Sequence, residues 1–248
     1  MQPIRAVILA AGQSVRLRPL TNDKPKCLLP MGPQTILDWQ LQSLASVGVM
    51  DVMLVVGYRK EAIADHIASH YPEFRVTYIT NPDFAKTNTL FSLSLALRQY
   101  EGDFYYLNAD VVFDDSILQR LAEQQDGGFL AIDRKQCRDE EVKVLVAGQR
   151  VLQIGKHLDP EISYGEFIGV AKFGGEFAAR FRDTVLNQAV PGNEMRFFEH
   201  ALDVMHNKAG LMAVDITGLP CVEVDFPEDY DYAVQQVLTT FAKVKEQG

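Results

Sequence analysis

Along its first half the chain alternates short apolar β-type runs with helical patterns, and this alternation constrains the fold more than any other feature. Strands are expected at Ala6–Leu9, Val52–Val56, Val76–Ile79 and Phe104–Leu107, with helices at Thr35–Val47, Lys60–His70, Asn88–Tyr100 and Ser116–Gln124. Such an order predicts an α/β fold: a doubly wound, mostly parallel, Rossmann-like sheet with helices on both faces. Ligands of such sheets bind beyond the carboxyl ends of the strands. Gly12, Gly57 and Asp110 each follow a predicted strand, so three strand ends converge on one rim.

The first of these ends opens the most informative stretch, Leu9 to Pro30, LAAGQSVRLRPLTNDKPKCLLP. A strand finishing in Leu9-Ala10-Ala11-Gly12 lets the backbone approach a ligand closely. The loop through Ser14 can offer N–H groups to phosphate oxygens, and Arg16 and Lys26 add charge. The expected ligand is a nucleoside triphosphate. Neither G-x-x-x-x-G-K-[ST] nor G-x-G-x-x-G is present, which sets the stretch apart from P-loop and dinucleotide-binding turns.

Gly12, Arg16, Leu17, Pro19, Leu20, Thr21, Pro25, Lys26 and Leu28 form a pattern that resembles the signature of sugar-1-phosphate nucleotidylyltransferases and phosphocholine cytidylyltransferases. One position departs from it, Ser14, where the family usually has a second glycine. The resemblance implies the nucleotide-diphospho-sugar transferase type of α/β fold, with Arg16 and Lys26 as catalytic cations and Mg²⁺ as cofactor. It implies a first metal carboxylate at Asp110 and a second at Asp225. Read on their own, Asp110 also suits a turn or cap, and Asp225 with Glu228 suits a capping box, Pro227 lying near the first helical position. By the same resemblance Gly57-Tyr58 forms a loop around the nucleobase, Lys156 meets the acceptor's phosphate and Glu166 faces the acceptor. Asn81, Asn88 and Ser92 are candidate base or acceptor readers, since Asn88 and Ser92 lie one helical turn apart. Asn88 equally suits a helix cap.

From Gly128 to Phe173 the rhythm changes to short β runs, Phe129–Ile132, Val142–Val146, Val151–Ile154 and Phe167–Phe173, expected as a small β extension over the acceptor. Helices near Gly175–Asn187 and Glu194–Asn207, strands Met212–Asp215 and Cys221–Val224, and a closing helix from Pro227 complete the chain. With 248 residues, 47% of them hydrophobic, one nucleotidyltransferase domain is expected. Within it, residues 1–127 form the nucleotide-binding core, 128–226 the acceptor-binding portion and 227–248 a C-terminal helix.

A net charge of −9 argues against a nucleic-acid partner. Cys27, Cys137 and Cys221 form no C-x-x-C, which fits a reducing cytoplasm, and the N-terminal apolar run is too short for a leader or a membrane span. The chain is expected as a monomer or homodimer that meets no membrane. His66 and His70 share a helix face without an H-E-x-x-H glutamate, so a surface pair is expected rather than a zinc site.

The segments Thr87–Leu93, Asp139–Val144, Gly165–Val170 and Asp215–Gly218 followed by Glu223-Val224-Asp225 look most similar to phosphocholine-type and aminoethylphosphonate-type cytidylyltransferases. The function expected is therefore Mg²⁺-dependent transfer of a cytidylyl group from CTP to a small phosphorylated or phosphonate amino alcohol, releasing pyrophosphate. A substrate phosphate has its second pKa near 6, so it needs no general base. An ammonium head group would want carboxylates and aromatic faces, for which Glu140, Glu141, Glu166, Tyr164, Phe198 and Glu199 are available. Two alternatives stand beside this one: a sugar-1-phosphate nucleotidylyltransferase using UTP, dTTP or GTP, and a non-catalytic nucleotide-sensing subunit. Replacing Lys26 with alanine is expected to cut turnover severely with little loss of stability.

Overall fold

The structure is a computed structural model that describes residues 3–237 and residue 239 of the chain. Strand β1 (Arg5–Ala10) leads through the Leu9–Pro30 loop into a short hairpin, β2 (Pro30–Met31) and β3 (Gln34–Thr35), and on into helix α1 (Ile36–Ser46). Then come β4 (Asp51–Val56), α2 (Lys60–His70), β5 (Arg75–Thr80), α3 (Thr89–Leu97), β6 (Phe104–Asn108), β7 (Val111–Phe113) and α4 (Asp115–Ala122). The second half runs β8 (Gly128–Asp133), β9 (Lys143–Ala147), β10 (Arg150–Gly155), β11 (Gly165–Phe173), α5 (Gly175–Gln188), α6 (Glu199–Val204), β12 (Leu211–Asp215), β13 (Cys221–Glu223) and α7 (Pro227–Tyr232).

Nine strands form one sheet in the order β5-β4-β1-β6-β11-β8-β12-β10-β9. β5, β4, β1 and β6 pair in parallel, β11 runs antiparallel between β6 and β8, and β12 is again parallel to β8. The sheet is doubly wound because β1 is apolar on both sides. Val7 and Leu9 pack with Leu90, Leu93 and Leu97 of α3 and Phe181 of α5, whereas Ala6, Ile8 and Ala10 pack with Leu37 and Leu41 of α1 and Ile63 of α2. Continuous burial of this kind is what a parallel strand covered on two faces requires. Strands β8, β11 and β12 enlarge the main sheet, so the extension expected over residues 128–173 is confined to the β9–β10 pair, whose far end folds back onto Gly165 and Glu166.

The helix expected at Glu194–Asn207 begins five residues late. Its first part runs non-helically past the start of α3, where the carbonyls of Glu194 and Arg196 accept the N–H groups of Asn88 and Leu90 at 2.8 and 3.2 Å. Phe198 N–H donates to Thr89 Oγ1 at 2.8 Å. The two carbonyl contacts satisfy N–H groups at the start of α3, and all three contacts hold residues 194–198 out of a helix. The closing helix begins at Pro227 as expected; its α-helical part runs to Tyr232 and is continued by one π turn, Ala233–Val237. The rest of that expectation, residue 238 and residues 240–248, lies outside the described residues. Among the described residues no helix is long and apolar enough to cross a membrane.

Candidate active site

The loop after β1 is pinned from below. Leu17 is buried against Leu29, Met31, Trp39, Val112 and Val224. Thr21 Oγ1 donates to the Ser14 carbonyl at 2.9 Å. Ser14 itself is left-handed, with φ 48° and ψ 50°, the conformation that favours the glycine of the family pattern; serine is held there by the anchored loop. Across the loop, Tyr58 N–H donates to the Ala11 carbonyl at 3.0 Å. A β-carbon on Gly57 would lie 2.7 Å from that same oxygen and from Phe84, so the close approach of β4 to β1 needs glycine. The Tyr58 hydroxyl donates to the Asn22 carbonyl at 2.7 Å, with the Thr21 carbonyl at 3.1 Å. Gly57 and Tyr58 thus brace the loop. At Gly12 a β-carbon would meet no atom within 4 Å, leaving open space beside the backbone.

Asp110 sits in the turn between β6 and β7, a turn held by Gln40 Nε2, which donates to the carbonyls of Asn108 and Val111 at 2.8 and 2.9 Å. β13 pairs antiparallel with β7, and Val224 N–H donates to the Asp110 carbonyl at 3.0 Å. This small ribbon carries Asp225, distant in sequence, to the side of Asp110. Lys26 Nζ lies between them, 2.7 Å from Asp110 Oδ2 and 2.9 Å from Asp225 Oδ1. Arg16 Nη2 is 2.7 Å from Asp225 Oδ2, its guanidinium resting 4.7 Å from the Phe226 ring centre. Two cations of the first loop and two strand-end carboxylates therefore meet at one point.

Burial alone would lower the Lys26 ammonium, but Asp110 and Asp225 outweigh it and hold its pKa above the ordinary value. Burial would likewise raise Asp225, and Lys26, Arg16 and Lys156 together hold it low. Glu223 joins the cluster: carboxylate oxygens of Asp110, Glu223 and Asp225 lie within 4.8 Å of one another. Burial, then Asp110 and Asp225, push the Glu223 carboxyl well above its ordinary range. Asp110 Oδ1 is buried with no hydrogen-bond partner among the described residues. Three close carboxylates with an unpartnered oxygen fit a hard divalent cation, which prefers oxygen ligands.

The capping box expected of Asp225 and Glu228 does not form. Asp229 Oδ2 accepts the N–H groups of Asp225 and Phe226 at 3.0 and 2.8 Å, which leaves the Asp225 side chain to the cluster. Three other expected residues are engaged internally. Asn81 Nδ2 donates to Thr87 Oγ1 and Ser92 Oγ at 3.0 and 3.1 Å, and its Oδ1 accepts Asp83 N–H. Asn88 caps α3, accepting Thr89 N–H at 2.8 Å. The structure brings Asn81 and Ser92 together inside a buried network and assigns Asn88 the capping geometry.

On the β9–β10 side, Lys156 Nζ stands 4.9 Å from the Phe197 ring centre at the mouth of a cavity of about 340 Å³. Glu166 is buried and paired with Lys135 Nζ at 2.6 Å, so it does not line this cavity. Glu199, which does, was visible in the sequence merely as one acidic residue among several. His66 Nε2 contacts Asp38 Oδ1 at 2.7 Å and its ring stacks on His70, the pair expected on that helix. The three cysteines are free thiols.

Fold and site together define an α/β nucleotidyltransferase. The chain matches the MobA-like NTP transferase domain over residues 6–164 and belongs to that family. It is 39% identical over 132 residues to CMP-5'-(3-aminopropyl)phosphonate synthase of Streptomyces rubellomurinus, covering 53% of this chain and 21% of that protein; the chain thus spans about a fifth of that relative. With CTP:phosphoglutamine cytidylyltransferase of Campylobacter jejuni it shares 26% identity over 261 aligned positions, covering 94% of this chain and 100% of that protein. CTP:phosphocholine cytidylyltransferase from Streptococcus pneumoniae superposes with a TM-score of 0.80 at 22% identity, over 94% and 98% of the two chains. The inositol-1-phosphate CTP transferase from T. maritima gives 0.81 at 22% identity, over 98% and 96%. These two structures share the fold.

Proposed function

We propose that the protein transfers a cytidylyl group from CTP to a small acceptor carrying a phosphate or phosphonate and an amino group. The observation that carries this reading is the convergence of Arg16 and Lys26 on Asp110 and Asp225 at the carboxyl ends of the strands. Support for CTP and for an amine-bearing acceptor comes from the names of relatives such as the phosphoglutamine and aminopropylphosphonate enzymes.

In this reading the loop from Leu9 to Ser14 cradles the triphosphate through backbone N–H groups, while Gly57 and Tyr58 hold that loop in shape. Residues 1–127 supply the nucleotide side, and residues 128–226 supply the acceptor side and, through Glu223 and Asp225, part of the carboxylate cluster. A phosphate oxygen of the acceptor attacks the α-phosphorus of CTP. The new P–O bond forms as the bond to the β-phosphate oxygen breaks, and pyrophosphate leaves with the electron pair. The attacking oxygen is already ionised near neutral pH, so no side chain has to remove a proton. Arg16 and Lys26 neutralise the charge that builds on the transferred and departing phosphates, each contributing about 10²–10³ in rate. Asp110, Glu223 and Asp225 would hold Mg²⁺, which when bound supplies further neutralisation of phosphate charge. Lys156 meets the acceptor's phosphate.

The test is pyrophosphate release with Mg²⁺, crossing CTP, UTP, dTTP, GTP and ATP against phosphocholine, 2-aminoethylphosphonate, glucose 1-phosphate and N-acetylhexosamine 1-phosphates. Release with CTP and an amine-bearing acceptor is expected. Release with UTP, dTTP or GTP and a sugar phosphate, or no release at all, contradicts the proposal.

A further inference from the structure

The carboxylate of Asp110 has little around it to fix its aim. Among the described residues Oδ2 meets Lys26 Nζ alone, at 2.7 Å, and Oδ1 is buried without a hydrogen-bond partner. Lys26 is itself a cation, so a divalent ion entering the cluster displaces it rather than adding to it. The aim of Asp110 then rests on the backbone of its turn. Ala109 N–H donates to the Leu9 carbonyl at 3.3 Å, and the Asp110 carbonyl accepts Val224 N–H at 3.0 Å. The remaining support comes from one side chain, Gln40 of α1, which is fully buried. Its Nε2 donates to the carbonyls of Asn108 and Val111 at 2.8 and 2.9 Å, so it spans the turn from two residues before Asp110 to one residue after it.

Both ends of this span are held from elsewhere as well. The Tyr106 hydroxyl donates to Asn108 Oδ1, and a β-carbon on Gly169, at φ 77°, would lie 2.5 Å from Asn108 Nδ2. Val111 pairs with Glu223 of β13. Gln40 draws the two ends together through one nitrogen and so sets their separation, with Asp110 between them. Both amide hydrogens are engaged by the turn, and Gln40 Oε1 is left buried without a partner among the described residues. Only the nitrogen of an amide can face two carbonyls favourably, which settles this orientation. An orphaned buried acceptor is destabilising, and a side chain kept in that state calls for an explanation. Three residues along α1, Ser43 is also fully buried and donates to Asp115 Oδ1 at the start of α4. That bond ties the same helix to the segment after β7 but leaves the Asp110 turn alone.

Resting on the nucleotidyl-transfer reading above and on its carboxylate cluster, we infer that Gln40 is a positioning residue for the reaction: by clamping the carbonyls on either side of Asp110, it keeps that carboxylate aimed into the cluster when Lys26 gives way. Being fully buried, Gln40 touches neither substrate nor metal. Its influence falls on metal affinity, because a carboxylate that is free to swing binds a divalent ion less tightly than one held in place.

The experiment uses the full chain with Mn²⁺ alone as the probe, free Mn²⁺ being read by electron paramagnetic resonance, and Tm and turnover being measured alongside. Gln40→Met keeps the length of the side chain and removes both donors, and it should weaken Mn²⁺ binding about tenfold or more. Gln40→Asn, an amide one methylene too short to span both carbonyls, should lie between Gln40→Met and wild type, and it carries the test if Gln40→Met does not fold. Ser43→Ala is the control: it removes the neighbouring tie to α4 and should lower Tm while leaving Mn²⁺ affinity within about twofold of wild type. Unchanged Mn²⁺ affinity in a folded Gln40 variant, an equal loss of affinity in Ser43→Ala, or failure of both Gln40 variants to fold overturns the inference in favour of plain structural support. A wild type that binds no Mn²⁺ overturns it too. Turnover separates the inference from the reading beneath it. Weakened Mn²⁺ binding in a protein that transfers no cytidylyl group keeps the inference and sinks the reading, whereas normal transfer with unchanged Mn²⁺ affinity does the reverse.

Discussion

Replacing Lys26 with methionine removes one charge and keeps most of the side-chain volume, so it isolates what the ammonium does between Asp110 and Asp225. Sequence alone suggested little loss of stability; the geometry says otherwise. Removing one partner of a fully buried ion pair costs about 3–5 kcal/mol. The Lys26, Asp110 and Asp225 side chains are 12%, 21% and 23% exposed, which places the loss lower, at about 2–3 kcal/mol. For a chain of this size each kcal/mol moves Tm by about 2–4 °C, so Lys26→Met should melt roughly 4–12 °C below wild type in EDTA. The variant leaves Asp110, Glu223 and Asp225 facing one another without the ammonium. Mg²⁺ should then restore stability more effectively than in wild type, because Lys26 no longer competes for the same oxygens. A site filled at a hundredfold excess over Kd regains about 2.7 kcal/mol. Turnover should still fall about 10²–10³-fold. Scanning calorimetry of both proteins across a Mg²⁺ titration checks the balance. Equal Tm values in EDTA, or equal Mg²⁺ shifts, would refute the reasoning.

Asp110→Asn should raise the Mg²⁺ concentration for half-maximal activity roughly tenfold or more, and an unchanged metal titration would leave Asp110 as a turn residue. Gly57→Ala forces a β-carbon to within 2.7 Å of the Ala11 carbonyl, so it should cost about 1–3 kcal/mol by denaturant titration and raise KM for the nucleotide; a wild-type KM would separate the brace from the loop. Glu199 is raised from 4.5 to about 7 by burial. The folded protein therefore keeps a proton that the unfolded chain has released between those values, and stability falls as pH rises through that window. Glu199→Gln removes this dependence and should gain on wild type by up to about 3 kcal/mol between pH 4.5 and pH 8. A constant difference across that range in urea unfolding would deny the buried ionisation.

The first half of the fold was legible because a parallel strand covered on both faces reads as an unbroken apolar run, as Ala6–Ala10 and Val52–Val56 do. Val111–Phe113 and the Pro30–Thr35 hairpin were too short to register as periodic segments. The positions of Lys26, Asp110 and Asp225 followed from motif and strand ends. Glu223 was missed, although a signal existed: in extended chain residues i and i+2 share a face, which puts Glu223 beside Asp225. Asn81 and Ser92 looked like ligand readers because polar residues near a strand end attract that reading; their mutual hydrogen bond depends on how α3 packs, which spacing does not encode. Residues 194–198 carried a helical pattern that lost to the open N–H groups of α3. Glu199, whose Oε2 is buried and unpartnered among the described residues, likewise owes that isolation to which neighbours are already engaged, a property of packing.

The central claim is that CTP is cut between its α- and β-phosphates and that the cytidylyl group passes to the acceptor. Following isotope from α-labelled and γ-labelled CTP in parallel, with Mg²⁺ and 2-aminoethylphosphonate, tests it most directly. The α-label should appear with the acceptor in a new product while the γ-label appears in pyrophosphate, in equal amounts. Labels that stay in CTP, or an α-label released as free CMP or CDP, would contradict the assignment.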